Sequence, residues 1–228
     1  MTIEPKSTPI VFLSGAGLPA WIWDEVRASL PVDSVVAAYP KQAGATLRDY
    51  AEAVLAQAPD GEFTVVAHSI GGVVASEVAA VAPTRVGGLL AVAASVPSAG
   101  RSFLGALPAP QRHIVGLIMR VAGTRPPEKA IRSGLCAGLG EDEVARIVAD
   151  FAPESQRLYR DRVSARVFPA RAGYVVTTAD KEFPAALQGR YAAELGAGWR
   201  REMATGHLPM LQEPAALSQI LKEFAGVA

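Results

Sequence analysis

The sequence predicts an α/β fold: a mostly parallel sheet of about six strands, doubly wound by helices, with one helical insertion. Short apolar runs that end at Gly or Pro recur along the chain, as strands buried on both faces do. Between them lie stretches with apolar residues at helical spacing, and this alternation implies a parallel sheet covered on both sides. From about residue 97 to 169 the rhythm breaks, with helical periodicity and no convincing strand.

Taken in order, the first strand is 9–13, stopped by Ser14-Gly15-Ala16-Gly17. The second is 34–39, stopped by Pro40, and the third is 63–67. The fourth and fifth are 88–93 and 173–178, and 199–203 is a weaker sixth. Leu47, Tyr50, Val54 and Ala58 share one helical face, and Thr46 with Asp49 makes a capping box at its start. Residues 71–81 read as a buried helix ending before Pro83. Leu217, Ile220, Leu221 and Phe224 form a stripe behind Pro214 in a first helical turn. In the long helical stretch Ile114, Leu117, Ile118 and Val121 form one stripe; Val144, Ile147, Val148 and Phe151 form another. The expected division is a core of 1–96 and 170–228, with 97–169 as a helical lid over a pocket.

Composition excludes several classes. Lys+Arg and Asp+Glu number 22 each, so the basic excess of a nucleic-acid binder is missing. Cys136 stands alone, which excludes an intramolecular disulfide and a cysteine zinc site. His68, His113 and His207 are the only histidines and no two have metal-ligand spacing, so neither metal nor cofactor is expected. Residues 1–6 lack a leader pattern, and no uninterrupted apolar run reaches the ~18 residues of a membrane span. The expectation is a cytoplasmic protein with no nucleic-acid or membrane partner; a homodimer stays open.

The strongest chemical signal is Ala67-His68-Ser69-Ile70-Gly71-Gly72, at a strand-to-helix junction. A serine with small residues two before and two after it fits the sharp turn of a nucleophile elbow. Other chain segments pass so close that only small side chains fit at 67 and 71. Such a turn lifts Ser69 Oγ above the carboxyl ends of the strands and aims the Ile70 N–H at a developing oxyanion. A serine alcohol needs a base. His207, on the loop between the last strand and last helix, is the candidate. His68 is a poorer base, because adjacent strand residues point in opposite directions. His113 lies in the insertion, either on a helix surface or against substrate. Asp180 follows the fifth strand and suits the acid that orients the imidazole. The loop after the fourth strand, Ala94-Ser95-Val96-Pro97, offers no carboxylate in its place. The Gly15-Ala16-Gly17 loop supplies a second oxyanion donor, the Ala16 N–H. The same loop fits a dinucleotide fingerprint through Ala20, but the second strand ends without the acid that would hold a ribose, and Pro19 interrupts the loop.

These segments together resemble the α/β-hydrolase superfamily over essentially the whole chain. The stretch from Val176 to Gln188, and His207-Leu208-Pro209-Met210 through Pro214, are similar to the small lidded branch that contains plant methyl esterases and hydroxynitrile lyases. The resemblance implies a triad of Ser69, His207 and Asp180 in the family's chain order, with Ala16 and Ile70 as oxyanion donors. With the first recognisable strand only nine residues from the start, the sheet is expected to lack the early hairpin of larger members. One position departs: Ser14 stands where the family usually has histidine. The lysine that marks cyanohydrin cleavage in the lyases has no match in the lid.

The expected activity is a serine carboxylesterase. An apolar lid face with Leu117, Ile118, Met119, Val144, Ile147 and Val148 implies a small to medium lipophilic substrate. Gly15 and Trp21 join Leu117, Ile118, Val144 and Val148 as the expected substrate-binding residues. Non-hydrolytic chemistry on the same scaffold (a carbon–carbon lyase, a cyclase) and a ligand-binding pseudoenzyme are the alternatives.

Overall fold

The computed structural model describes residues 8–227. Residues 1–6, read above for a leader, and the outermost core ends at 1 and 228 lie outside the described residues. Six strands form one sheet: β1 (Ile10–Leu13), β2 (Ser34–Val36), β3 (Phe63–His68), β4 (Val86–Val92), β5 (Ala172–Thr177) and β6 (Trp199–Met203). All neighbours pair in parallel, in the order β2-β1-β3-β4-β5-β6.

The inner strands β1, β3, β4 and β5 read as nearly continuous apolar runs because the sheet is covered on both faces there, whereas the edge strand β6 carries exposed Arg200, Arg201 and Glu202. Alternate residues feed two cores. Val11, Leu13, Val65, Ala67, Leu89 and Ala91 face one, under the helices Leu47–Gln57, Gly71–Val81 and Ala185–Leu195. Ile10, Phe12, Val66, Leu90, Val92 and Val175 face the other, under Asp24–Ala28 and Pro214–Ala225. Thr46 caps the Leu47–Gln57 helix as its spacing predicts: its hydroxyl accepts from the Asp49 N–H, and the Asp49 carboxylate accepts from the Thr46 N–H.

The second strand is shorter than the 34–39 expected. The Ala37 N–H still reaches the Phe12 carbonyl, but both backbone groups of Ala38 are taken by the Gln57 side chain. With its amide and carbonyl engaged elsewhere, the chain leaves the ladder.

Between β4 and β5 the described chain is helical, chiefly Ala109–Ala122, Glu141–Asp150 and Gln156–Arg160. No helix of the described residues is long and apolar enough to cross a membrane.

The strand order reverses between β1 and β3: the chain runs outward from β1 to β2, then returns to β3 on the other side. Loops leaving the carboxyl ends of such a pair diverge and open a crevice, the usual ligand position in an open α/β sheet. Residues 14–17 follow β1, and Ser69 follows β3.

Candidate active site

Ser69 has φ 54°, a left-handed conformation that a side-chain-bearing residue adopts only at a cost. Its surroundings hold it there. The Ser69 carbonyl accepts from the Gly72 N–H at 3.2 Å and from the Ser95 N–H at 2.9 Å. The turn is tight enough that a Cβ on Gly71 would lie 2.5 Å from the Leu13 carbonyl oxygen, and one on Gly15 2.9 Å from Ser69 Cβ. The sequence pattern of small residues around Ser69 is therefore a record of close backbone approach.

His207 arrives on the loop after β6. Its Nε2 is 2.9 Å from Ser69 Oγ, and its Nδ1 is 2.7 Å from Asp180 Oδ2. An ionised carboxylate can only accept, so Nδ1 carries the ring proton and Nε2 is free to accept from the serine hydroxyl. Asp180 is itself fully engaged: Oδ1 accepts from the Glu182 and Phe183 N–H groups, and Oδ2 accepts from the Thr177 hydroxyl. Burial raises its pKa, but the bond and charge of His207, with the Phe183 N–H and Thr177, outweigh burial and leave it below the ordinary value. Gln188 locks this corner, donating to the Thr177 and Phe183 carbonyls and accepting from the Thr177 N–H.

His68 sits behind His207, their ring centroids 4.8 Å apart. A carbonyl only accepts, so His68 Nε2 carries the proton and donates to the His207 carbonyl at 2.8 Å. His68 Nδ1 is buried without a partner. A second ring proton there would have no acceptor; burial, then repulsion from His207, push the His68 pKa down to about 3. His68 is thus a neutral prop for the His207 backbone.

A cavity of about 400 Å3 opens at Ser69 and His207, walled by Phe103, Val115, Met119 and Tyr159 of the helical insertion and by Phe183. Ala16 and Ile70 border it, and neither N–H donates to an acceptor among the described residues. Two unspent donors beside a serine hydroxyl can receive an oxyanion.

The expected substrate-binding residues are not in this wall. Leu117 and Ile118 are 63% and 50% exposed, on the outer face of the Ala109–Ala122 helix, while Val115 and Met119 face inward. Val144 is buried in the core under the sheet and Val148 packs against that core. Trp21 is drawn away: its indole N–H donates to Asp150 at 2.8 Å, and Arg146 lies 3.8 Å over its ring. Gly15 does not line the cavity, and a Cβ there would lie 2.9 Å from Ser69 Cβ and 3.0 Å from His68 Nδ1. His113 is on the exposed helix surface. Sequence reasoning missed Phe103, Val115 and Tyr159 in the wall; only the i, i+4 spacing of Val115 and Met119 hinted at an inward face. Among the described residues no group of His, Cys, Asp or Glu is placed to hold a metal.

The geometry now has relatives to stand beside. No curated protein matches the chain significantly. Among solved structures, one similar to it is an extracellular α/β-hydrolase from Paenibacillus species, described as sharing structural and functional homology with tobacco salicylic acid binding protein 2. It is 18% identical, with TM-score 0.81, over 95% of this chain and 98% of that one. Polyneuridine aldehyde esterase is 19% identical, with TM-score 0.74, over 96% and 99%. Tomato methylketone synthase I is 16% identical, with TM-score 0.78, over 96% and 98%. At such identities the likeness is one of fold. The family model described as the alpha/beta hydrolase family matches residues 10–220, nearly the whole chain; the protein belongs to the alpha/beta hydrolase family.

Proposed function

We propose that the protein is a serine carboxylesterase acting on a small to medium lipophilic ester, without a cofactor. The observation that carries this reading is the unbroken hydrogen-bonded series Asp180–His207–Ser69, at 2.7 and 2.9 Å, ending in a largely apolar cavity that Gln111, Lys181 and Glu182 also line. Ser69 Oγ attacks the ester carbonyl carbon as His207 Nε2 takes its proton, a step for which a general base contributes roughly 10²–10⁴-fold. The Ala16 and Ile70 N–H groups receive the oxyanion; one such donor is worth roughly 10²–10³-fold. Collapse of the tetrahedral intermediate expels the alcohol, which takes its proton from the His207 imidazolium. Water then attacks the acyl-enzyme, His207 takes and returns a proton in the same way, and the acid leaves. The helical insertion serves as the lid, and its Phe103, Val115 and Met119 select for apolar acyl or alcohol groups.

Hydrolysis of short and medium p-nitrophenyl esters by the wild type and Ser69→Ala tests this, with mass spectrometry after fluorophosphonate treatment. Turnover lost in Ser69→Ala and a phosphonate adduct on Ser69 are expected. An inert wild type that forms no adduct overturns the esterase reading. A second reading, non-hydrolytic carbon–carbon chemistry on the same scaffold, is supported by the likeness of fold to tomato methylketone synthase I. Product analysis separates the two, since cleavage or rearrangement of a carbon skeleton leaves no acid–alcohol pair.

A further inference from the structure

The loop after β1 is a turn. The Leu18 N–H donates to the Gly15 carbonyl at 3.2 Å, with Ala16 and Gly17 at its two central positions and Gly17 at φ +70°. A turn of this kind presents the N–H of its first central residue, here Ala16, to the outside. Its central peptide, Ala16–Gly17, can flip by rotation about Ala16 ψ and Gly17 φ, so the turn from which the Ala16 N–H projects is fixed only where Gly17 is held.

Both backbone groups of Gly17 are held from the helical insertion. Glu154 Oε1 accepts from the Gly17 N–H at 3.2 Å, and the Ala152 N–H donates to the Gly17 carbonyl at 3.1 Å. The Phe151 ring packs on the same glycine and leaves no room for a side chain there. Glu154 is in turn fixed from the core. The Tyr50 hydroxyl donates to Glu154 Oε2 at 2.7 Å and accepts from the Ser155 N–H at 3.0 Å, and the Thr124 hydroxyl donates to the Glu154 carbonyl. Tyr50 is fully buried. A charged acceptor on a backbone N–H makes a strong bond, and one anchored at its second oxygen cannot swing away without breaking another.

We propose that Glu154 is a positioning residue for the Ala16 N–H: it clamps the Ala16–Gly17 peptide from the insertion, so that the loop after β1 holds its donor toward Ser69. Glu154 does not touch the substrate cavity; it acts through the loop. The inference rests on the proposed role of Ala16 in ester hydrolysis. It adds that the helical insertion, besides walling the cavity, shapes the far side of the catalytic centre.

Glu154→Ala, Glu154→Gln and Tyr50→Phe test it, with three readouts. With a p-nitrophenyl ester, kcat of Glu154→Ala falls about 10- to 100-fold, the range for a misplaced rather than deleted donor, while KM stays within about twofold. Affinity for a trifluoromethyl ketone of matching chain length, which adds to Ser69 as an oxyanion, weakens in proportion to kcat/KM. Glu154→Gln keeps an oxygen for the Gly17 N–H and recovers most of both. Hydrogen exchange at the Gly17 amide becomes at least about tenfold faster in Glu154→Ala. Wild-type kcat and wild-type ketone affinity in Glu154→Ala overturn the proposal, as does unchanged exchange at Gly17. Where Glu154→Ala does not fold, Tyr50→Phe frees Glu154 Oε2 and is held to the same readouts. A wild type inert to every ester sinks the esterase reading by itself. Gly17 exchange then decides the clamp alone, faster exchange keeping it and unchanged exchange rejecting it.

Discussion

Acidification from pH 7 to pH 5 destabilises this protein through His68, by about 2 kcal/mol. His68 is fully buried, its one proton committed to the His207 carbonyl and its Nδ1 without a partner. Burial, with repulsion from His207, lowers its pKa from 6.5 to about 3 in the folded protein. In the unfolded chain the imidazole returns to about 6.5. Between those values the unfolded state binds a proton that the native state refuses, so stability rises with pH and is fully present above about 6.5. It drains away as pH falls toward 3. At about 1.36 kcal/mol per unit, the roughly 1.5 units between 6.5 and 5 give about 2 kcal/mol.

The assay is urea unfolding at pH 7, 6 and 5 for the wild type and His68→Gln. A glutamine amide can donate to the His207 carbonyl but does not titrate. Other shifted groups, such as Asp180 on one side and Glu154 and Glu182 on the other, are common to both proteins and cancel in the difference. The wild type is expected to lose about 2 kcal/mol more than His68→Gln over this range. Parallel stability curves refute the reasoning, because they mean that His68 finds an acceptor for its second proton.

Gly71→Ala places a Cβ 2.5 Å from the Leu13 carbonyl oxygen and 3.0 Å from that of Ser14; backbone cannot retreat as a side chain tip does, so the denaturation midpoint falls by the equivalent of about 1–3 kcal/mol. Asp180→Asn keeps the shape but no longer requires the proton on His207 Nδ1, and kcat on an ester that the wild type turns over drops about 10⁴-fold. Met119→Ala, which strips a cavity wall, raises KM for a medium-chain ester roughly tenfold, whereas Leu117→Ser on the outer helix face leaves KM within about twofold. Ser14→Ala leaves the Trp23 indole N–H buried without its acceptor and costs about 1–3 kcal/mol in urea unfolding, with kcat changed less than about threefold.

What the sequence made legible followed from rules that act locally. Strand runs are visible because burial on both faces demands continuous apolar residues, and the residues after three of them, 69, 180 and 207, share one sheet edge by topology alone. The cavity wall was illegible for a physical reason. An apolar stripe tells which face of a helix avoids water, and the usual inference is that this face turns inward. In the Ala109–Ala122 helix, Ile114, Leu117, Ile118 and Val121 are 59%, 63%, 50% and 81% exposed, while the narrower pair Val115 and Met119 faces the cavity at Ser69. The Val144 and Ile147 stripe does turn inward, but onto the core beneath the sheet. The end of β2 was illegible because a glutamine 19 residues away took the backbone groups of Ala38.

Ser14 shows why a departure from a motif has to be weighed by its partners. Read alone, serine in place of the family's histidine puts the loop after β1 in doubt. In the fold, Ser14 Oγ accepts from the Trp23 indole at 3.1 Å, and its carbonyl accepts from the Tyr39 hydroxyl at 2.9 Å. Trp23 is fully buried against Phe12, ring centroids 4.7 Å apart, so its N–H is not free to seek another acceptor. The loop is therefore tied at Ser14 from two flanking segments and at Gly17 from the insertion. None of these ties needs an imidazole at position 14. They come from residues 9, 25 and 137 positions away, which is why a motif confined to residues 13–17 held no trace of them.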